Sequence, residues 1–184
     1  MLIVLVVVVV GLVLYFMTTY NGLVRLKVQC NNAWSDIDVQ CKKRYDLVPN
    51  LVETVKGYAS HEKAVFEKVT QARAMAMQAN SPAEMAKAEN MIRDTLKSLF
   101  AVAEAYPELK ANANFMQLQT QLQELENSIE YARRYYNAVV RDFNVLIESF
   151  PSNLIASQFN FKQAELFQLE APETERKPVK VSFS

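Results

Sequence analysis

The residues that could carry out chemistry in this chain are few, and their spacing fits no catalytic pattern. His61 is the single histidine, and although His61-Glu62 begins a His-Glu-x-x-His zinc motif, no second histidine completes it. Di-iron helical bundles need two Glu-x-x-His motifs, so one histidine excludes that site as well. Cys30 and Cys41 precede His61 by at least twenty residues, roughly 30 Å along a helix, so neither forms a Cys/His pair with it. With three glycines, the chain also has no glycine-rich phosphate loop. We therefore expect no enzyme activity, no metal and no cofactor.

The two cysteines are predicted to stay unbridged. Cys30 and Cys41 are eleven residues apart, so on one helix they share a face but lie about 16 Å from each other. A disulfide needs Cα atoms within about 7 Å. Free thiols suit a reducing compartment, and both cysteines are equally well explained as small core residues.

One charged segment could contact a partner, and we call it the charged surface. Its members share one short stretch and are Asp36, Asp38, Lys42, Lys43, Arg44 and Asp46. It could bind a partner protein or anionic lipid headgroups, although an ordinary solvated helix face gives the same composition. The segment begins about 24 Å of helix beyond Tyr20, well over a Debye length of about 8 Å. Headgroup contact would therefore require the helix to lie down on the membrane.

The first twenty residues predict a membrane anchor. Residues 1–17 contain no charge and no amide, and a helix over residues 1–20 spans roughly 30 Å, the thickness of the hydrocarbon layer. No basic segment precedes the apolar run and no small-residue cleavage site follows it, so we expect the anchor to be retained. Tyr15, Phe16 and Tyr20 would form the aromatic belt at one membrane interface.

The charges that flank the anchor predict its orientation. Arg25 and Lys27 follow the apolar run, and no acidic residue appears before Asp36. Because positive residues stay on the cytoplasmic side, we expect the N-terminus outside and the helical domain in the cytoplasm.

Composition and periodicity indicate an all-α fold. The net charge is zero, which argues against a nucleic-acid partner, and glycine is scarce, which favours long helices. Apolar residues recur at intervals of three and four, and Ser81-Pro82-Ala83-Glu84 matches a capping box. The prediction is a single transmembrane helix that continues into an antiparallel up-and-down bundle. The predicted parts are the anchor over 1–20 and the bundle over 21–150, with helices at about 22–59 (kinked at Pro49), 60–79, 82–105 and 108–149.

The C-terminal half leaves two alternatives open. The apolar repeat from Phe115 to Leu146 is also typical of a coiled coil with a second chain, although an intramolecular bundle explains it. Residues 151–170 are rich in aromatics without a clear period, and we expect them to pack along the bundle or against a neighbour. Residues 171–184 are polar and are expected to be flexible.

Several blocks of the sequence resemble the LemA family. They include Ala33-Trp34, the stretch from Asp36 to Gln40, and the stretch from Asp46 to Val52. Ala105-Tyr106-Pro107-Glu108-Leu109-Lys110-Ala111-Asn112 and Phe150-Pro151-Ser152-Asn153 resemble later blocks. The resemblance implies a bacterial membrane protein with a short external N-terminus, one span and an antiparallel helical bundle. It brings no catalytic residues to carry over. A related domain occurs in a magnetosome-associated protein, and neighbours of the family include membrane metalloproteases.

These observations lead to two functional hypotheses. The first is a non-enzymatic scaffold, anchored in the bacterial inner membrane and associating with its own copies. The alternative is an adaptor or accessory subunit for a membrane protease or an envelope stress system, whose main partner would be another membrane protein.

Overall fold

The chain is helical throughout the part that the structure describes. The computed structural model describes residues 1–79 and 81–168, which form six α-helices and no strand. The helices are α1 (Leu2–Lys56), α2 (Lys63–Ala76), α3 (Pro82–Glu104), α4 (Pro107–Lys110), α5 (Ala113–Glu148) and α6 (Ser152–Gln158). This confirms the predicted all-α class with a long apolar N-terminal helix that could span a membrane. The predicted segment 171–184, with residues 169 and 170, lies outside the described residues.

Two compact units make up the chain. Among the described residues, unit 1 comprises residues 1–43 and 124–166, and unit 2 comprises residues 44–79, 81–123 and 167–168. Helices α1 and α5 each contribute one part to each unit.

In unit 1, the first part of α1 packs antiparallel against the second part of α5. A Cβ atom added to Gly22 would lie 3.7 Å from Leu146 Cδ2, and the rings of Trp34 and Tyr136 have centroids 5.5 Å apart. The buried core side chains include Leu23, Ala33, Ile37, Ile129, Val140 and Phe143. The glycine at position 22 thus lies where the two helices approach closely, in ordinary van der Waals contact distance for a small side chain.

The segment after α6 runs back along α5 within unit 1. The Asn144 side chain holds Ala164 at both backbone groups: its Nδ2 donates to the Ala164 carbonyl and its Oδ1 accepts from the Ala164 N–H, each at 2.9 Å. Tyr136 donates its hydroxyl hydrogen to the Glu165 carbonyl at 2.8 Å. These bonds satisfy backbone groups that have no helix or strand partner, which is why the irregular segment has a defined path.

In unit 2, α2 and α3 form a closely packed pair. Ser81 caps α3 by accepting a hydrogen bond from the Glu84 N–H at 3.2 Å, and Pro82 occupies the first helical position. This confirms the start that the Ser-Pro-Ala-Glu sequence predicts for α3. The core side chains include Leu51, Val55, Val69, Ala72, Ile92, Leu99, Leu109 and Phe115.

Helix α1 continues through Pro49, and unit 2 provides the compensating contact. Proline has no N–H, so the carbonyl of Tyr45, four residues earlier, loses its usual helical donor. Arg73 of α2 supplies a replacement, because its Nε–H donates to the Tyr45 carbonyl at 2.7 Å. The helix can therefore pass a proline without leaving a buried carbonyl unsatisfied.

This contact makes the effect of Arg73 depend on Pro49. Arg73→Ala should lower the free energy of unfolding by about 1–3 kcal/mol, because a carbonyl loses its donor. In a Pro49→Ala background the backbone N–H of residue 49 can donate to the Tyr45 carbonyl. Arg73→Ala should then lower the free energy of unfolding by less than about 1 kcal/mol. Denaturant unfolding of the two single variants and the double variant measures the coupling. Equal costs of Arg73→Ala in both backgrounds would show that the hydrogen bond does not compensate for the proline.

Candidate functional site

The charged surface predicted from the sequence is mostly exposed, with one exception. Asp36, Lys42, Lys43 and Asp46 are exposed, and Asp38 is half-buried. Asp38 and Lys42 form an ion pair with 2.7 Å between Oδ2 and Nζ. The hydrogen bond to Asp38, and then the charge of Asp38, raise the pKa of Lys42.

Arg44 was placed on the charged surface, and the structure corrects this. Only 1% of Arg44 is exposed, and its guanidinium forms an ion pair with Glu89 of α3, which is 5% exposed. The spacing of three residues from Cys41 and four to Val48 places Arg44 on the apolar side of α1, so its side chain points into unit 2. The exposed remainder of the charged surface is Asp36, Asp38, Lys42, Lys43 and Asp46.

A buried polar cluster surrounds this ion pair in unit 2. The Tyr45 hydroxyl donates to Glu89 Oε1 at 2.5 Å and lies 3.5 Å from Met85 Sδ. The Arg44 guanidinium carbon is 5.9 Å from the centroid of the Tyr45 ring. The Glu89 carboxylate thus receives donors from two neighbouring residues of α1, which fixes the pairing of α1 with α3. Its groups bond to one another, so we assign the cluster a structural role.

A groove on unit 1 lies beside the charged surface. It has a volume of about 460 Å³ and is lined by Asp36 and Gln40 of α1 and by Asn127, Ser128, Tyr131, Ala132 and Tyr135 of α5. Tyr131 is 70% exposed and Tyr135 is 47% exposed. Two exposed tyrosines next to an aspartate and amides provide the mixture of apolar area and hydrogen-bonding groups that is common in protein interfaces.

The predicted membrane-interface residues lie at the exposed end of unit 1. Tyr15 and Phe16 are exposed, and Tyr20 is half-buried. The ring of Phe159 packs on both Tyr20 and Phe16, with centroids 4.8 Å and 5.8 Å apart. Sequence reasoning missed the part that Phe159 plays in this cluster, although the aromatic composition of residues 151–170 was a signal that the segment packs somewhere.

The cysteines and acidic residues do not assemble into a reactive site in the described structure. Cys30 and Cys41 are buried free thiols, and burial raises the pKa of Cys30, partly offset by its backbone hydrogen bond. A raised thiol pKa disfavours the reactive thiolate. Across residues 1–79 and 81–168, no group of three or more His, Cys, Asp and Glu side chains is arranged to hold a metal ion.

The fold and the exposed N-terminal helix define a class of protein. In the described part of the chain, α1 alone is long and apolar enough to cross a membrane, and none of its most apolar window is buried. A core helix of a soluble protein would be buried there, so the class is a membrane-associated helical protein.

Comparison with known sequences identifies the family. The sequence model of the LemA family matches residues 33–183, and the chain belongs to the LemA family. Protein LemA of Metamycoplasma hominis is 30% identical over 166 residues, which cover 88% of this chain and 74% of that protein. The resemblance seen in the sequence blocks is thereby confirmed.

More distant relatives carry a different name. Magnetosome protein MamQ 2 of Paramagnetospirillum magneticum is 25% identical over 186 residues, covering 87% of this chain and 68% of that protein. Magnetosome protein MamQ of Magnetospirillum gryphiswaldense is 23% identical over 182 residues, covering 83% and 67%. Neither these names nor the family description designates a catalytic activity.

Proposed function

We propose that this protein is a non-enzymatic scaffold that spans the bacterial inner membrane once and associates with its own copies. The observation that carries the proposal is the continuity of α1. The helix runs without a break from an apolar stretch that is fully exposed to residues such as Leu23 and Ile37 in the core of unit 1. A rigid helix transmits the position of the anchor to the packed unit, as a scaffold requires.

The flanking charges support one orientation of this scaffold. Arg25 and Lys27 are exposed on α1 directly after the apolar stretch, and Asp36 is the first acidic residue of the chain. We propose that the N-terminus is outside and that the helical units are cytoplasmic, following the distribution of positive charge.

The groove on unit 1 is the surface that we propose for self-association. Tyrosine contributes a large contact area and a hydroxyl, and it is enriched in the energetically dominant parts of interfaces. Tyr131 and Tyr135 project from one face of α5, and Asp36 and Gln40 of the neighbouring helix offer acceptors and a donor within the same groove.

Chemical crosslinking in native membranes tests the self-association. The wild-type chain should give a ladder of identical subunits, and Tyr131→Ser/Tyr135→Ser should reduce the ladder strongly. Met116→Ser is the matched control, because Met116 is a 55% exposed apolar side chain on the same helix but outside the groove. A wild-type chain that remains monomeric would remove self-association from the proposal.

The exposed charged surface supports the alternative, an adaptor for a membrane protease or an envelope stress system. Lys42 and Lys43 are adjacent and exposed, so Lys42→Glu/Lys43→Glu reverses charge without touching the core. If the adaptor function holds, a different membrane protein dominates the material that copurifies with the chain, and this variant releases it. If copies of the chain dominate instead, the scaffold is supported.

A further inference from the structure

Three large apolar side chains of unit 1 are exposed outside the anchor and lie close together in the sequence, from just after α5 to just after α6. Phe150, two residues after the end of α5, is 80% exposed, Leu154 of α6 is 61% exposed, and Phe159, which follows α6, is 44% exposed. We call these three residues the α5–α6 corner. A concentration of exposed apolar area on a small surface marks a site of interaction with a protein or a membrane.

The pairing of α1 with α5 shows where this corner lies along the anchor. Leu146 lies beside Gly22, and the ring of Tyr136 packs at a tilt on Trp34 further along the same antiparallel pair. Each residue further along α5 corresponds to one residue earlier in α1, because both helices rise about 1.5 Å per residue. Glu148, the last residue of α5, is two residues beyond Leu146 and is therefore level with about residues 20–22 of α1. Helix α5 therefore ends within a few residues of the apolar stretch of α1.

The ring contacts place the rest of the corner at the same level. Phe159 packs on Tyr20 and Phe16, the residues expected in the aromatic belt of the anchor. Phe161 follows, and Lys27 Nζ lies 5.8 Å from the centroid of its ring. Lys27 is about 10 Å of helix beyond Tyr20, at the height of lipid headgroups if Tyr20 lies at the hydrocarbon boundary.

The charged groups near the corner are compatible with a membrane surface. The exposed basic residues at this end of unit 1 are Arg25, Lys27, Arg141 and Lys162, and the exposed acidic residues are Asp142, Glu148 and Glu165. Glu148 accepts a hydrogen bond from Gln163. An aromatic and aliphatic layer beneath a layer of charged residues that includes Arg and Lys is compatible with a segment that lies in a lipid interface.

We propose that the α5–α6 corner inserts into the interface of the membrane that α1 crosses, as a second membrane contact distant in sequence from the anchor. The inference rests on the proposed span of residues 1–20 and adds a contact that an anchor alone does not require. Two contacts at one level fix the direction in which α1 leaves the bilayer. Unit 1 then stands on the membrane surface, and the charged surface is held away from the headgroups.

Quenching of tryptophan fluorescence by brominated lipids tests this contact in the full-length protein. The background variant is Trp34→Phe, which removes the single native tryptophan and keeps an aromatic ring beside Tyr136. Phe150→Trp and Leu154→Trp report on the corner, each in vesicles of phosphatidylcholine and phosphatidylglycerol with bromines near the headgroup end of the acyl chains. Both reporters should lose most of their emission.

Two further reporters make the result decisive. Tyr131→Trp places an exposed reporter on α5, about 28 Å along the chain from Phe150 at helical rise. Its emission should be unchanged by the brominated lipids. Val8→Trp reports on the middle of the anchor and should be quenched most by bromines deep in the acyl chains. If Val8→Trp is quenched while both corner reporters behave like Tyr131→Trp, the corner is outside the membrane and the inference is overturned. If Val8→Trp itself is not quenched, the proposed span fails, and the inference fails with it.

Discussion

Replacing Glu89 by alanine is expected to lower the free energy of unfolding by about 3–5 kcal/mol, because it leaves a buried charge without its partner. Arg44 is almost fully buried, and its guanidinium pairs with the Glu89 carboxylate. The Tyr45 hydroxyl, 2.5 Å from the same carboxylate, loses its acceptor as well. A loss of this size is a large fraction of the stability of a typical domain. Denaturant unfolding in detergent micelles, followed by helical circular dichroism, measures it.

Two further variants show whether the unpaired charge causes the loss. Asp38→Ala breaks the exposed ion pair with Lys42 and should change the free energy of unfolding very little, because solvent screens that pair. Arg44→Met/Glu89→Met removes both buried charges and should recover much of the stability lost in Glu89→Ala. The interpretation would be wrong if Glu89→Ala cost no more than Asp38→Ala.

The helices and the anchor could be predicted from the sequence because their signals are local and repeated. The apolar run of residues 1–17 needs no knowledge of the rest of the fold. The start of α3 follows from Ser81, Pro82 and Glu84, which lie within one turn of each other. The continuation of α1 past Pro49 agrees with the apolar period, but the reason for it, the Arg73 side chain on the Tyr45 carbonyl, joins residues 28 positions apart.

The position of Arg44 could not be decided from its own neighbourhood. It belongs both to a run of charged residues and to the apolar side of α1, and the first pattern suggested exposure. The structure favours the second because Glu89, 45 residues away, lies on the buried side of α3. A basic residue on the apolar side of one helix and an acidic residue on the apolar side of another together indicate a buried pair. Neither residue indicates it alone.

The path of the segment after α6 also depends on distant partners. Residues 159–165 have no regular period, so the sequence could indicate packing but not the surface that receives it. The Asn144 side chain fixes Ala164, and Tyr20 and Phe16 receive Phe159. The groove beside Asp36 was missed for the same reason, since Tyr131 and Tyr135 reach it only through the pairing of α1 with α5.

The second large effect is expected from charges placed inside the anchor. On the scale for insertion of helices, the apolar residues of segment 2–17 together contribute roughly −4 to −8 kcal/mol. One arginine near the centre costs about 2.5–3.5 kcal/mol, so Val8→Arg should leave most of the protein inserted. Two arginines, in Val6→Arg/Val10→Arg, cost about 5–7 kcal/mol and also remove two valines. The free energy of inserting the segment into the membrane then becomes close to zero or unfavourable. The fraction of protein that resists alkaline carbonate extraction should therefore fall steeply only in the double variant.

The matched control carries the same two charges on the same helix, outside the apolar stretch. Gln29 and Asn32 are exposed on α1, so Gln29→Arg/Asn32→Arg should remain as resistant to extraction as the wild-type chain. If the double variant in the anchor were also fully retained, residues 2–17 would not be what holds the protein in the membrane. If part of the Val6→Arg/Val10→Arg protein stayed in the membrane after extraction, a second membrane contact would explain it. Because Phe159 of the α5–α6 corner packs on Phe16 and Tyr20, the corner would remain as a contact when the anchor is weakened, and adding Phe150→Ser/Leu154→Ser should then abolish the residual retention.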